Sequence, residues 1–267
     1  IWDRLPLGTV TTEGLFDGKR LYSNKYTSSY NGSKLSGAAF LPIDYNIASE
    51  NFGEDFKDDS MWVYVTGYTK TLEFLTAYLT DIDSIIGDFE FELEVLGPRN
   101  NLIRNGYLTS KEGTIYSLKL DDPIYNVQGH AELNQNTFEW KSFAGSMVKD
   151  PSKTKKHNIF ISGTMDMTEF FKPVYDLKIK GNEIHFRTLL GDIEGIVNVD
   201  LNLTGKDAIE ISGIIEPIDA VMYQEFVSDS DVETIDEEGS IVINYKLTFP
   251  LTGDFALRNS QIDALLS

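Results

Sequence analysis

The sequence predicts a mainly β protein, built as one elongated, strongly curved sheet with an apolar concave side. Three observations predict it. Apolar and polar residues alternate with period two along most of the chain, one alternating stretch recurs at a fixed offset, and glycines share the parity of the apolar residues.

In chain order, Leu35-Ser36-Gly37 is a triad that returns as Ile161-Ser162-Gly163 and Ile211-Ser212-Gly213. Two of the three lead on to Pro-Ile-Asp, at Pro42–Asp44 and Pro217–Asp219. Leu72, Leu75, Leu79, Ile82 and Ile86 then recur at three and four residues. That is the stripe of a short amphipathic helix over about residues 71–86, with Thr71 as its N-cap. Such a helix would plug one end of the core or lie as a gate across an apolar groove. From Gly87 to Gly97, Phe89, Phe91, Leu93 and Val95 fall on one face and Asp88, Glu90, Glu92 and Glu94 on the other, the mark of a half-buried strand. Strands follow at Ile159–Met167, Tyr175–Ile179, Val197–Leu203, Ile209–Ile215 and Ile241–Phe249.

Ile85, Gly87, Phe89, Phe91, Leu93, Val95 and Gly97 match Ile193, Gly195, Val197, Val199, Leu201, Leu203 and Gly205, each pair offset by 108 residues. Similar strands added along an axis bury their faces only against neighbours. Gly87, Gly97, Gly163, Gly195, Gly205 and Gly213 have the parity of the apolar residues beside them, so the apolar face carries bare spots where a sheet can curl.

The 267 residues, 41% hydrophobic and 24% charged, suffice for a sizeable core and argue against disorder. With 23 basic against 42 acidic residues the chain carries a net charge of −19, which repels phosphate backbones and excludes nucleic acid as a main partner. Neither a run of about 20 apolar residues nor a basic segment followed by an apolar core is present. The chain opens on Ile1, so residues 1–267 are read as one continuous segment of a larger protein without a visible domain boundary. Zero cysteines exclude disulfides, thiolate zinc sites and cysteine nucleophiles.

Chemistry is sparse. His130, His157 and His185 stand singly and read as solvated strand or loop positions, so neither a metal nor a cofactor is expected. Asp229-Ser230-Asp231-Val232-Glu233 opens like a calcium loop, but Thr234 stands where glycine is needed and Ser240 where the closing glutamate belongs. The acidic run Ser228–Glu238 and the basic connection Lys149–His157 therefore read as solvated loops. No nucleophile elbow, phosphate loop or dinucleotide fingerprint occurs, and no enzyme is expected.

The order of motifs carries a resemblance. A glycine followed by apolar-Pro-apolar-Asp closes Leu35–Asp44; Met61–Gly67, the stretch Leu72–Ile86, Gly87–Gly97, Pro98 and Gly106-Tyr107-Leu108 come next; Tyr245–Pro250 and Leu257-Arg258-Asn259 lie near the end. In that order they resemble the carboxy-terminal region of the TamB family, translocation and assembly module subunits of the AsmA-like group. The acidic run is a departure from that pattern.

The resemblance implies an elongated sheet folded into a taco-like trough with an apolar interior. It implies a periplasmic location, in a protein anchored in the inner membrane by an amino-terminal segment outside this chain. Its implied role is a conduit that shelters phospholipid acyl chains between the membranes and supports outer-membrane biogenesis, with an outer-membrane barrel assembly protein as partner through regions outside this chain. The groove lining would then be Phe89, Phe91, Leu93, Val95, Ile159, Ile161, Met165, Val197, Val199, Leu201, Leu203, Ile209, Ile211 and Ile215. On periodicity alone, the same residues could fill a closed core, as in a structural or adhesive β-solenoid without lipid passage.

Overall fold

The computed structural model describes residues 9–16, 20–30, 32–44, 46–53, 60–72, 82–150, 152, 156–169, 172–188, 193–223, 242–250, 252–259 and 263–266. The first strands are β1 (Thr9–Phe16), β2 (Leu21–Tyr30), β3 (Ser33–Leu41), β4 (Met61–Thr71) and β5 (Ile82–Gly97). Next come β6 (Ile103–Ser117), β7 (Tyr125–Asn134), β8 (Thr137–Ser146), β9 (Ile159–Asp166) and β10 (Val174–Arg187). The chain continues with β11 (Ile193–Gly205), β12 (Ala208–Tyr223), β13 (Val242–Thr248), β14 (Asp254–Arg258) and β15 (Asp263–Leu266). All belong to one long, open, curved sheet, and the described residues contain no α-helix.

From β1 to β12 each strand pairs antiparallel with the next, so the chain winds back and forth along the sheet. At the far end β12 pairs in parallel with both β13 and β14, and β15 pairs antiparallel with β14. Tight turns make the winding possible. Gln135 and Asn136, between β7 and β8, have φ of 49° and 75°, the left-handed pair that matches a two-residue turn to the twist of its strands. Gly97 (φ 107°) and Gly205 (φ 129°) close β5 and β11, where a Cβ would sit 2.6 Å from the Asn101 carbonyl oxygen and 2.1 Å from that of Ala208.

The sheet bends where strands carry an extra residue. Register shifts fall at Asp88/Phe89 between β5 and β6, Trp140/Phe143 between β8 and β9, Gly181/Ile184 in β10 and Ile196/Val197 between β11 and β12, where Ile218 of β12 is the extra residue. Each such bulge kinks its strand and raises the local twist.

Among the described residues, the two ends of the stretch expected as a helix over about 71–86 are β structure, and residues 73–81 lie outside them. Thr71 ends β4 and pairs with Ile86 of β5, the Leu72 amide donates to the Ile85 carbonyl at 3.0 Å, and Ile82 opens β5. Leu72, Ile85 and Phe89 are buried together with Ile82 and Ile115 against them. Leu72 and Ile85, read together as parts of one helical stripe, thus meet across two β arms. The β-branched side chains of Ile82, Ile85 and Ile86 suit the pleated surface of a strand. Leu75 and Leu79 lie outside the described residues, as does the acidic run 228–238.

At one end of the sheet the strands do not all reach equally far. β9 begins at Ile159, whereas β10 continues past its pairing with β9 at Gly181 as far as Arg187. The slot beside the end of β10 is filled by other chain. The His185 amide donates to the Met147 carbonyl at 3.0 Å, and the Asp121 amide to the Arg187 carbonyl at 2.8 Å. Asn158 pins this corner, its Oδ1 accepting from the Met147 amide and its Nδ2 donating to the Met147 and Glu183 carbonyls.

Candidate functional site

Residues directly opposite one another in a paired register share a face of the sheet. Following one row across the strands gives Tyr26, Gly37, Val65, Leu93, Gly106, Leu133, Phe138, Met165, Tyr175, Gly205, Ile209 and Ile243. A second row runs through Leu35, Gly67, Phe91, Leu108, Ala131, Trp140, Gly163, Leu177, Leu203 and Ile211. A third holds Phe89, Phe143, Ile161, Ile179, Leu201 and Gly213. Apart from glycine and an occasional small polar residue, these rows are apolar from β3 to β12.

The register places the fourteen expected lining residues on that one face. Phe89, Phe91, Leu93 and Val95 come from β5; Ile159, Ile161 and Met165 from β9; Val197, Val199, Leu201 and Leu203 from β11; Ile209, Ile211 and Ile215 from β12. Most of them are half-buried, and among the described residues only twelve apolar residues are buried. These gather in local clusters. Val127, Ala131 and Phe143 form one, with Trp140 edge-on to Phe138 and Phe143 at 5.0 and 4.7 Å between ring centroids. Met147, Ile184 and Val197 form another, at the slot beside β10. Each cluster joins neighbouring strands, so the packing is lateral along the sheet.

Glycines punctuate the face. Gly163 lies between Trp140 and Leu177, Gly213 beside Leu201, and Gly195 against Ala220. The bare backbone at these points lets large neighbours lie over it.

Polar groups stand at each end of the strands. At one, Arg104 is paired with Val95 on the apolar side; its Nη1 donates to Asn136 Oδ1 at 3.2 Å and to the Met167 carbonyl at 3.3 Å. Burial pulls its guanidinium below the usual arginine range. At the other end, on the face opposite Ile184 and Phe186, Asp121 pairs with Arg187, and Asp122 Oδ2 lies 3.1 Å from His185 Nδ1. Glu194 Oε1 lies 3.6 Å from His185 Nε2 and 3.1 Å from Lys149 Nζ.

The opposite face is charged and internally paired. Lys111 meets Glu90 at 2.8 Å, Lys141 meets Glu132 at 2.6 Å, and Asp200 lies 3.3 and 3.5 Å from Lys178 and Lys180. Lys70 bonds Asp88, and hydrogen bonds to Asp88 and then Tyr68 push its ammonium up to about 12. The same lysine holds the Asp88 carboxyl below the usual range.

Two expectations about histidine divide. His130 is half-exposed on the charged face, bonded to Thr109 at 2.9 Å, and His157 meets Asn126 at 3.1 Å. His185 is not solvated: it is 7% exposed between carboxylates from two other segments. No signal along the strand could reveal that, because Asp122 is 63 positions away and Glu194 is across the β10–β11 pair. Among the described residues no cluster of three or more histidines and acids could hold a metal ion.

Residues of β7, β8 and β10 were missed as members of the apolar face. In β7 the alternation Val127, Gly129, Ala131, Leu133 is diluted by small residues. In β8 the shift between Trp140 and Phe143 moves the apolar parity from even to odd. Compared with protein-family models, curated proteins and solved structures, the chain matches none.

Proposed function

We propose that the apolar face is the inside of a taco-like trough and that the protein is a lipid-conduit segment, sheltering phospholipid acyl chains between the inner and outer membranes. One observation carries the reading: apolar rows run from β3 to β12, and among the described residues no second layer of structure buries most of their side chains. Water-facing apolar rows of that length are costly unless something apolar covers them, and acyl chains need no specific polar contact. Ten residues of strand rise about 33 Å, and each added strand lengthens the trough by about 4.8 Å. The order of sequence motifs that resembles the TamB family supports the same reading and a periplasmic location. An outer-membrane barrel assembly partner would meet regions outside this chain. Among the described residues the face is lined by apolar side chains and glycine rather than by paired acids or a nucleophile with its base, and we read the protein as a carrier rather than an enzyme.

Native mass spectrometry of the purified protein, with lipid extraction, tests this. Co-purifying phospholipid is expected; lipid-free protein with a filled core would replace the conduit by a structural β-solenoid. Leu201→Asp sharpens the test. On an open face the new carboxylate reaches water and melting changes little, while lipid association is lost. In a closed core the unpaired charge costs several kcal/mol and the fold collapses.

A further inference from the structure

We propose that the connection Leu118–Pro123 is a latch that closes one end of the apolar face and opens to admit acyl chains. The proposal rests on the lipid-conduit reading and adds a moving part to it.

The β6–β7 hairpin does not need this excursion. Ile115 and Ile124 already close it with reciprocal N–H···O bonds of 2.9 Å. Beyond that pair, the chain reaches across β7, β8 and β9 to the end of β10. There Leu120 forms an isolated bridge with Thr188, and the Asp121 amide donates to the Arg187 carbonyl. The excursion thus occupies the slot that β9 leaves by starting late.

Its two sides do different things. Leu120 packs against Met147, Ile184 and Val197, which are 4%, 5% and 3% exposed. Most of the apolar face elsewhere is half-buried, so here the face is filled. Asp121 and Asp122 lie against Arg187 and His185 instead. The hold is incomplete. His185 Nδ1 is 3.1 Å from Asp122 Oδ2 but misaligned, and this buried atom makes no hydrogen bond. The contacts that hold it, among them the isolated bridge, the Asp121 amide bond, the ion pair to Arg187 and the packing of Leu120, are made at the end of β10 rather than within the β6–β7 pair, whose base is closed independently, so the element can leave without dismantling the sheet.

The chain has no cysteine, so a single pair can lock the latch. Leu120 and Thr188 face each other across an antiparallel bridge, a separation of about 4.5–5.5 Å that a disulfide spans. In the Leu120→Cys, Thr188→Cys protein, a photoreactive benzoylphenylalanine replaces Phe186, beside the latch, or Phe91, far from it. Each is exposed to vesicles of phosphatidylethanolamine and phosphatidylglycerol. Under reducing conditions both positions should crosslink lipid. Oxidation should lower the Phe186 yield at least about fivefold, the low end of coupling between a switch and its site, and leave Phe91 unchanged. Equal Phe186 yields in both states, with Phe91 labelled, would overturn the latch alone. Absence of lipid at both positions would overturn the conduit reading and the latch with it. If the cysteine pair lowers the melting temperature, Asp121→Asn with Asp122→Asn carries the test, and the Phe186 yield should rise above that of the unmodified chain; an unchanged yield overturns the latch.

Discussion

β5 and β11 are the same strand written twice, and they are covered differently. Offset by 108 residues, Ile85–Gly97 and Ile193–Gly205 share their apolar parity. Both shift register at the equivalent step, Asp88/Phe89 in one and Ile196/Val197 in the other. Both end on a glycine of positive φ. Phe89 and Val197, which correspond, are each 3% exposed. Yet Phe89 is covered by its own hairpin, through Leu72 and Ile85, whereas Val197 is covered by Met147, Ile184 and the distant Leu120. The repeated pattern reproduces the strand, and the next strand in each case, β6 with Lys111 and β12 with Ile218, bulges against it at the equivalent step. What lies over the buried residue depends on connections outside the repeat, and the smaller valine leaves room that a second segment fills.

The sharpest way to probe this comparison is truncation. Phe89→Ala should cost about 3–5 kcal/mol and Val197→Ala roughly 1–3 kcal/mol, because more buried carbon is removed at Phe89; urea midpoints measure both. Deleting the Leu120 side chain should add to the loss at Phe89→Ala independently but couple with Val197→Ala, since only the latter pair shares a cluster. Coupling at both positions would mean that the two strands are not covered by separate segments.

The glycines come next. At Gly97 and Gly205 an alanine would need a left-handed conformation with its Cβ against a carbonyl oxygen. Gly97→Ala and Gly205→Ala should each destabilise by about 1–3 kcal/mol. The closer oxygen, at 2.1 Å against 2.6 Å, makes Gly205 the costlier site. A neutral result at either, read by thermal melting, would break the correspondence of the two strand ends.

The smallest effect lies on the charged face. Lys70 and Tyr68 hold Asp88 of β5 below its usual range. Burial raises Asp200 of β11, but Lys178 and Lys180 outweigh it and the net shift is downward. Carboxyls lowered in the folded state stabilise it above their unfolded range, and that contribution fades as pH falls through the folded values. Both are solvent-facing, so the loss should be slight and weaken further in salt. Urea midpoints taken from about pH 6 down to about pH 3 should fall less steeply for Asp88→Asn and Asp200→Asn than for the unaltered chain. Identical slopes would show that neither pair contributes.

Strand identity and facing were legible wherever alternation ran uninterrupted, as at Phe89–Val95, Ile159–Met165 and Val197–Leu203, because a period of two admits only one division into faces. Where a bulge intervened, as between Trp140 and Phe143, or where glycine and alanine thinned the pattern, as in β7, the face could not be followed. The described ends of the stripe at 72–86, Leu72 and Ile85, lie on two paired arms, and helical spacing within one segment is indistinguishable from a meeting of two β arms until the pairing is known.

The sequence by itself determined the mainly β class, the repeat and the parity of most apolar residues, since the alternation that shows them is read from neighbours one or two positions apart. Only the tertiary structure decided that fifteen strands join in one open sheet, that Asp122 and Glu194 enclose His185, and that Leu120 reaches β10. Those contacts join segments tens of residues apart, where register and bulges, rather than local spacing, set which side chains meet.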